Sequence, residues 1–195
     1  MRRAPRQPTI PWSAPAGAWQ GAAPVAWNRG ISLIGHDLWL DPQVVRARAF
    51  VSHAHSDHAR RHVHAILTAE TLELLPEARR PRGTTVVELG VPLPLEGATV
   101  TLHDAGHMLG AAQLQFARDG WRLLYTGDCK LRRADGTRTP IPQADVLVLE
   151  STYGRPHFRF PDPGTVVGAI SVWARRTLAL GSTPVLLAHA TGKAQ

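Results

Sequence analysis

Cysteine is nearly absent. The single Cys129 cannot close an internal disulfide, and one thiol fits a reducing compartment. No apolar run approaches the roughly 20 residues that a membrane-spanning helix needs. Met1-Arg2-Arg3 is positively charged, but proline and tryptophan break up the residues that follow, where a secretory signal would have a continuous apolar core. The cytoplasm is therefore the expected compartment. Lysine is scarce too: 2 residues against 20 arginines, so the net charge of +7 is carried by guanidinium groups. Such a balance favours polyanionic partners, nucleic acid or an anionic surface, although richness in arginine, alanine and proline equally fits a biased gene composition. There is no internal repeat.

The 195 residues, 44% of them hydrophobic, fit one domain with a substantial core. Residues 1–27 hold Pro5, Pro8, Pro11, Pro15 and Pro24 with Trp12, Trp19 and Trp27, which suits neither helix nor ladder and is expected to be a loose extension. From Gly30 the pattern sharpens. Ile31 to Ile34, a Gly35-His36-Asp37 turn and Leu38 to Leu40 make a hairpin ending at Asp41-Pro42, and a buried strand ends over Ala47 to Val51. Ala65 to Leu67 is a short buried strand, after which Thr68 caps a helix through Leu75, closed by Pro76. Thr84 to Leu89 and Thr99 to Leu102 alternate as strands, with the proline-rich Val91 to Pro94 expected to be a connection. Ala111 to Ala117 and Trp121 to Tyr125 pair through Arg118-Asp119-Gly120. Val146 to Leu149 is an apolar strand, Gly164 to Leu180 a helix with Val167, Ile170, Trp173, Ala174 and Leu178 on one face, and Pro184 to Ala188 a last strand. The alternation places the chain in the α/β class.

The densest chemistry follows the strand that ends at Val51. Ser52-His53-Ala54-His55-Ser56-Asp57-His58 gathers three imidazoles and a carboxylate. His53 and His55, two apart on extended chain, project to one side. Ser56 is expected to cap a helix, with Asp57 and His58 in its first turn. Imidazole and carboxylate are donors that zinc accepts, whereas a hard-cation site would be mostly oxygen. Two histidines plus an Asp-His pair could serve two adjacent ions. His107, between Gly106 and Gly110 just after a strand, and Asp128, at the end of Tyr125-Thr126-Gly127-Asp128, are the further candidate ligands.

His-x-His-x-Asp-His after an apolar strand resembles the signature of the metallo-β-lactamase-fold hydrolases. That likeness implies a four-layer αβ/βα sandwich with metals at one edge of its two sheets. It further implies a pair of zinc ions, manganese being an alternative, with His53, His55 and His107 on the first, Asp57 and His58 on the second, and Asp128 bridging. Glu150-Ser151-Thr152-Tyr153-Gly154 resembles the acidic motif opening the β-CASP nuclease subgroup, which implies that Glu150 supports the metal site from behind. The closing residues, Trp173 and Val185 to Gln195, resemble bacterial exonucleases associated with an ATP-dependent DNA ligase, and messenger 3′-end processing factors nearly as well. The resemblance spans about residues 28–195. It implies a metallo-β-lactamase portion over 28–155 and the start of a β-CASP portion over 156–195, where the chain stops short of the family's later histidine motifs. The expected activity is zinc-dependent phosphodiester hydrolysis on single-stranded DNA or RNA, in the manner of an exonuclease, with end and internal cleavage both left open by the sequence and association with a DNA ligase as a further expectation. Two alternatives stay open: a small-molecule hydrolase cleaving thioesters or lactones, and a non-catalytic zinc-binding remnant. His36, His62, His64, His103, His157 and His189 match no ligand position and are expected to be structural or solvated.

Overall fold

A computed structural model describes residues 24–133 and 136–188. Two sheets face each other. The first has six strands in the order β1 (Val25–Trp27), β2 (Ile31–Leu33), β3 (Trp39–Leu40), β4 (Arg48–Phe50), β5 (His64–Leu67) and β6 (Gly83–Val86). The second has five, with β7 (Pro92–Leu95) at one edge, then β8 (Ala98–Asp104), β9 (Ala112–Arg118), β10 (Trp121–Tyr125) and β11 (Val146–Val148) at the other. β3 to β6 run parallel, as do β10 and β11; the remaining pairs are antiparallel.

The core is the space between the sheets. Leu38, Leu40, Phe50 and Ile66 from the first meet Val100, Leu102, Leu114, Phe116 and Leu123 from the second, and all of them are at most 2% exposed. α1 (Ala69–Leu74) covers the outer face of the first sheet, where Val51, Ala59, Ala65, Leu67 and Leu75 form a second cluster. Thr68 caps α1 as expected, accepting from the amide of Thr71. α2 (Pro163–Ala179) begins on the carboxylate of Asp162, and none of its residues is buried. No described helix is long and apolar enough to cross a membrane.

Several expectations need correction. β1 lies inside the stretch read as a loose extension: Val25, Ala26 and Trp27 pair with Leu33, Ser32 and Ile31, because β2 offers them an open edge. The rest of that extension, residues 1–23, falls outside the described residues. Val91 to Pro94 is no mere connection, since Pro92–Leu95 is an edge strand. Glu96 and Gly97 both have positive φ (49° and 78°) and make the tight two-residue turn that folds it onto β8. Pro92 and Pro94 share one parity, with their missing N–H groups on the side away from β8, while Leu93 and Leu95 pack on the core. Asp119-Gly120 forms the same kind of turn between β9 and β10 (φ 49° and 81°), here as read from the sequence. Pro184 to Ala188 forms no strand; Leu186 and Leu187 are exposed with no ladder partner among the described residues.

Leu114→Ala, at the centre of the core, should lower unfolding stability by about 2–5 kcal/mol, whereas Leu147→Ala on exposed β11 should cost about 0.5 kcal/mol or less. Urea unfolding with both variants checks this, and equal losses would contradict a core lying between the sheets.

Candidate metal centre

All the candidate ligands leave the sheets at one edge. His53 follows β4, His107 follows β8, Asp128 follows β10 and Glu150 follows β11, each at the carboxyl end of its strand. The two sheets are stitched there by the amide of Ala112 donating to Ser52 O (2.9 Å), and the amide of Lys130 donates to Ala105 O (2.9 Å). Gly127, at φ 53°, lets the Asp128 loop run against Ser52: a Cβ on it would sit 2.7 Å from the Ser52 Cβ. Gly106, at φ 66°, has Thr139 Oγ1 and Lys130 O where a side chain would be.

The histidine loop is an isolated turn, not the start of a helix. His55 O accepts the amides of both His58 (3.2 Å) and Ala59 (3.1 Å), and the chain then leaves, so Ser56 caps nothing. Arg60 and Arg79 instead fix the loop by donating to Ser56 O and Ala59 O.

Within this frame one atom each from His53, His55, His107 and Asp128 lie within 4.8 Å of one another. His53 Nε2 is 2.9 Å from His55 Nδ1, which is 3.3 Å from His107 Nε2; Asp128 Oδ2 is 3.9 Å from His53 Nε2 and 3.7 Å from His107 Nε2. Nitrogens about 2.0–2.1 Å from one tetrahedral ion stand about 3.3 Å apart, so this donor set fits a borderline cation. Asp128 faces two ways. Its Oδ1 lies 3.4 Å from His58 Nε2, which is itself 3.6 Å from Asp57 Oδ2. Asp57 is largely exposed, and with Asp128 and His58 it forms a second, looser group beside the first.

Asp41, unnoticed in the sequence, organises both groups from behind. Only 8% exposed, it accepts the Ser52 amide on Oδ1 (2.7 Å), and on Oδ2 the Ser52 hydroxyl (2.5 Å), His58 Nδ1 (2.8 Å) and the Tyr125 hydroxyl (2.9 Å). Because the Ser52 hydroxyl spends its proton on Asp41, its oxygen accepts Nδ1–H of His53 (2.9 Å), which leaves the His53 Nε2 lone pair facing the cluster. His58 donates Nδ1–H to Asp41 directly, so its Nε2 also faces forward. Read in the sequence as the end of a hairpin, Asp41 offered one usable signal, a carboxylate closing the strand beside the histidine-bearing one.

The electrostatics follow from these contacts. Burial, helped by the charge of His58, holds His53 down at about 3, so it is a neutral donor at any physiological pH. Burial also lowers His107. Burial opposes the charge on His58, yet hydrogen bonds and charge from Asp128 and Asp41 outweigh it and lift His58 to about 10. The His58 hydrogen bond in turn lowers Asp128 to about 2.

Glu150 does not reach a histidine directly; its Oε2 accepts the Thr152 amide (2.8 Å). It does line the cleft of about 650 Å³ that opens over the cluster, together with His55, Asp57, His107, Asp128 and Tyr153. The other histidines lie outside the cluster. His62 is buried and accepts the Arg46 amide (3.2 Å), His64 bonds Thr85, His36 bonds Arg118, and His157 packs on Phe158. His189 is outside the described residues.

No family model matches the chain. It is 38% identical over 177 residues to a protein designated a probable DNA ligase from Opitutus terrae, covering 88% of this chain and 17% of that one. It is 34% identical over 106 residues to an RNase J-like protein of Methanocaldococcus jannaschii, covering 51% and 24%. YhfI of Bacillus subtilis, a metallo-β-lactamase fold protein, superposes with a TM-score of 0.36 at 12% identity over 50% of this chain and 52% of its own. The chain thus spans about a sixth and a quarter of the two sequence relatives.

Asp41→Asn should weaken metal binding about 10–100-fold, since it disturbs the orientation of His53 and His58 together. In the metal-free protein, His58 is raised above its ordinary 6.5, so its contribution to stability is complete below pH 6.5 and drains away as pH rises towards 10. Asp41→Asn should flatten that alkaline loss in urea unfolding across pH 6–10; an unchanged slope would show that Asp41 does not hold the His58 charge.

Proposed function

This chain is a homologue of the β-CASP nucleases, which share the metallo-β-lactamase fold, and from that premise we propose that it carries the metal centre of a phosphodiester hydrolase acting on nucleic acid. The observation that supports this most is the convergence of three imidazoles and a shared carboxylate at one sheet edge, open to a single cleft. His53, His55 and His107 would hold one ion, Asp57 and His58 a second, and Asp128 both, with zinc the best match to the donors and manganese an alternative. Two such ions supply a strong nucleophile at neutral pH and charge to stabilise the phosphate oxygens during in-line displacement.

The chain's own groups do the rest. Neutral His53, locked by Ser52, gives up no proton when it binds. His58 must release one, so the second ion competes with a proton and the first does not compete at this residue. Asp57, exposed at the mouth of the cleft, is placed to take a proton from a water lined up on phosphorus. Attack would form a P–O bond to the water oxygen and break the one to the leaving alkoxide, which takes a proton from solvent, giving a phosphomonoester and an alcohol. Lys130 in the same cleft, within a chain of net charge +7, favours the polyanion over a neutral thioester or lactone. Single-stranded DNA or RNA attacked from an end, in the cytoplasm and in company with DNA ligation, is the fuller form of this reading; the ligase relative supports the last part. The metallo-β-lactamase portion is assigned to residues 28–155 and the start of a β-CASP portion to 156–195.

The purified protein should contain zinc, and affinity for the second ion should rise about tenfold per pH unit between pH 6.5 and 8.5 as His58 gives up its proton. His53→Ala with His107→Ala should abolish tight binding. Cleavage of a labelled oligonucleotide should fall about 100-fold or more in Asp128→Ala. Zinc retained by the double variant, or cleavage indifferent to Asp128, would overturn the assignment.

A further inference from the structure

The acidic motif after β11 is tied down with more care than an exposed turn requires. The Glu150 amide donates to Thr126 Oγ1 (3.3 Å), two residues before Asp128, and the Glu150 carboxylate accepts the Thr152 amide (2.8 Å). A tight turn then closes from the Gly154 amide to Ser151 O (2.9 Å). The residue this arrangement presents is Tyr153. It is 58% exposed and stands edge-to-face with Phe158 (centroids 5.3 Å apart) and Phe160 (4.9 Å), themselves 41% and 68% exposed. Three neighbouring aromatic rings left in solvent mark a binding surface rather than a packing surface.

Position decides what they bind. Tyr153 and Phe160 line the same 650 Å³ cleft as His107, Asp128 and Lys130. Its lining therefore combines aromatic rings with a cationic side chain and a donor set for metal. A nucleotide has the matching pair of features, a planar base and an anionic phosphate one sugar apart. An acyl chain would use the rings but not the cations, and inorganic phosphate the reverse.

We propose that Tyr153, backed by Phe160, is a stacking ledge for the nucleobase next to the phosphate in the metal cleft, with Glu150 as the residue that positions it. This rests on the nucleic-acid reading above. Stacking uses the π-face that every base has, so the ledge makes the site tolerant of sequence. It also makes the site selective for single strands, since a base inside a duplex already has both faces covered.

The test is binding of the zinc-loaded protein to hydrolysis-resistant phosphorothioate strands by fluorescence anisotropy, one strand of thymidines and one of abasic sugars. Tyr153→Leu should weaken the thymidine strand about 5–150-fold and the abasic strand by less than about twofold, with zinc content unchanged. Tyr153→Phe should bind like the wild type. Glu150→Ala should reproduce part of the base-specific loss and Glu150→Gln should rescue it, because the amide oxygen can still accept from Thr152. Equal losses on both strands, or none on either, would overturn the ledge while leaving the nucleic-acid reading intact. Failure of the wild type to bind either strand would remove the reading and the ledge together.

Discussion

A single buried carboxylate holds the metal edge together. Asp41 takes four hydrogen bonds, from the Ser52 amide, the Ser52 hydroxyl, His58 and Tyr125, and so links β3, the histidine loop and β10 across both sheets. Its backbone sits at φ 41° immediately before a proline, a conformation that costs energy and persists because the surroundings over-determine it. A charge this deeply buried is tolerable only with full satisfaction. The same bonds that satisfy it set the tautomer of His53 through Ser52 and the direction of His58. Stability and site geometry are thus one requirement here.

That coupling explains why the cluster has two distinct characters. His53 is sunk in the core and stays neutral, so its nitrogen is available at all physiological pH values. His58, between Asp41 and Asp128, holds its proton tightly and gives it up only to something more positive. Asp128 meets both regions with different oxygens. One half of the cluster is preorganised, and the other is kept in order by the His58 proton. Tyr153 and Lys130 line the cleft that opens over both halves.

Much of this was legible in the sequence. The histidine loop, His107 and Asp128 stand out as candidate ligands because residue type and placement at strand ends are local information. The tight turn at Asp119-Gly120 and the Thr68 cap were equally plain, since each depends on a few neighbouring residues. Val91 to Pro94 reads as a connection because proline usually signals a break, and only the pairing parity with β8 shows that an edge strand can carry two of them. Ser56 reads as a cap but is not one, because the residues after it, held by adjacent Arg60 and by Arg79 from farther along the chain, do not continue as helix.

By itself, then, the sequence determined the donor chemistry, the α/β alternation and which strand ends carry candidate ligands. These follow from side-chain type and short-range periodicity, which need no partner to be read. Tertiary structure decided the role of Asp41, the two-way reach of Asp128 and the attachment of Glu150 to Thr152 rather than to a histidine. Each is a contact between residues distant along the chain, or a choice among several partners within reach. Only the closing of two sheets over a shared edge fixes which of those contacts form.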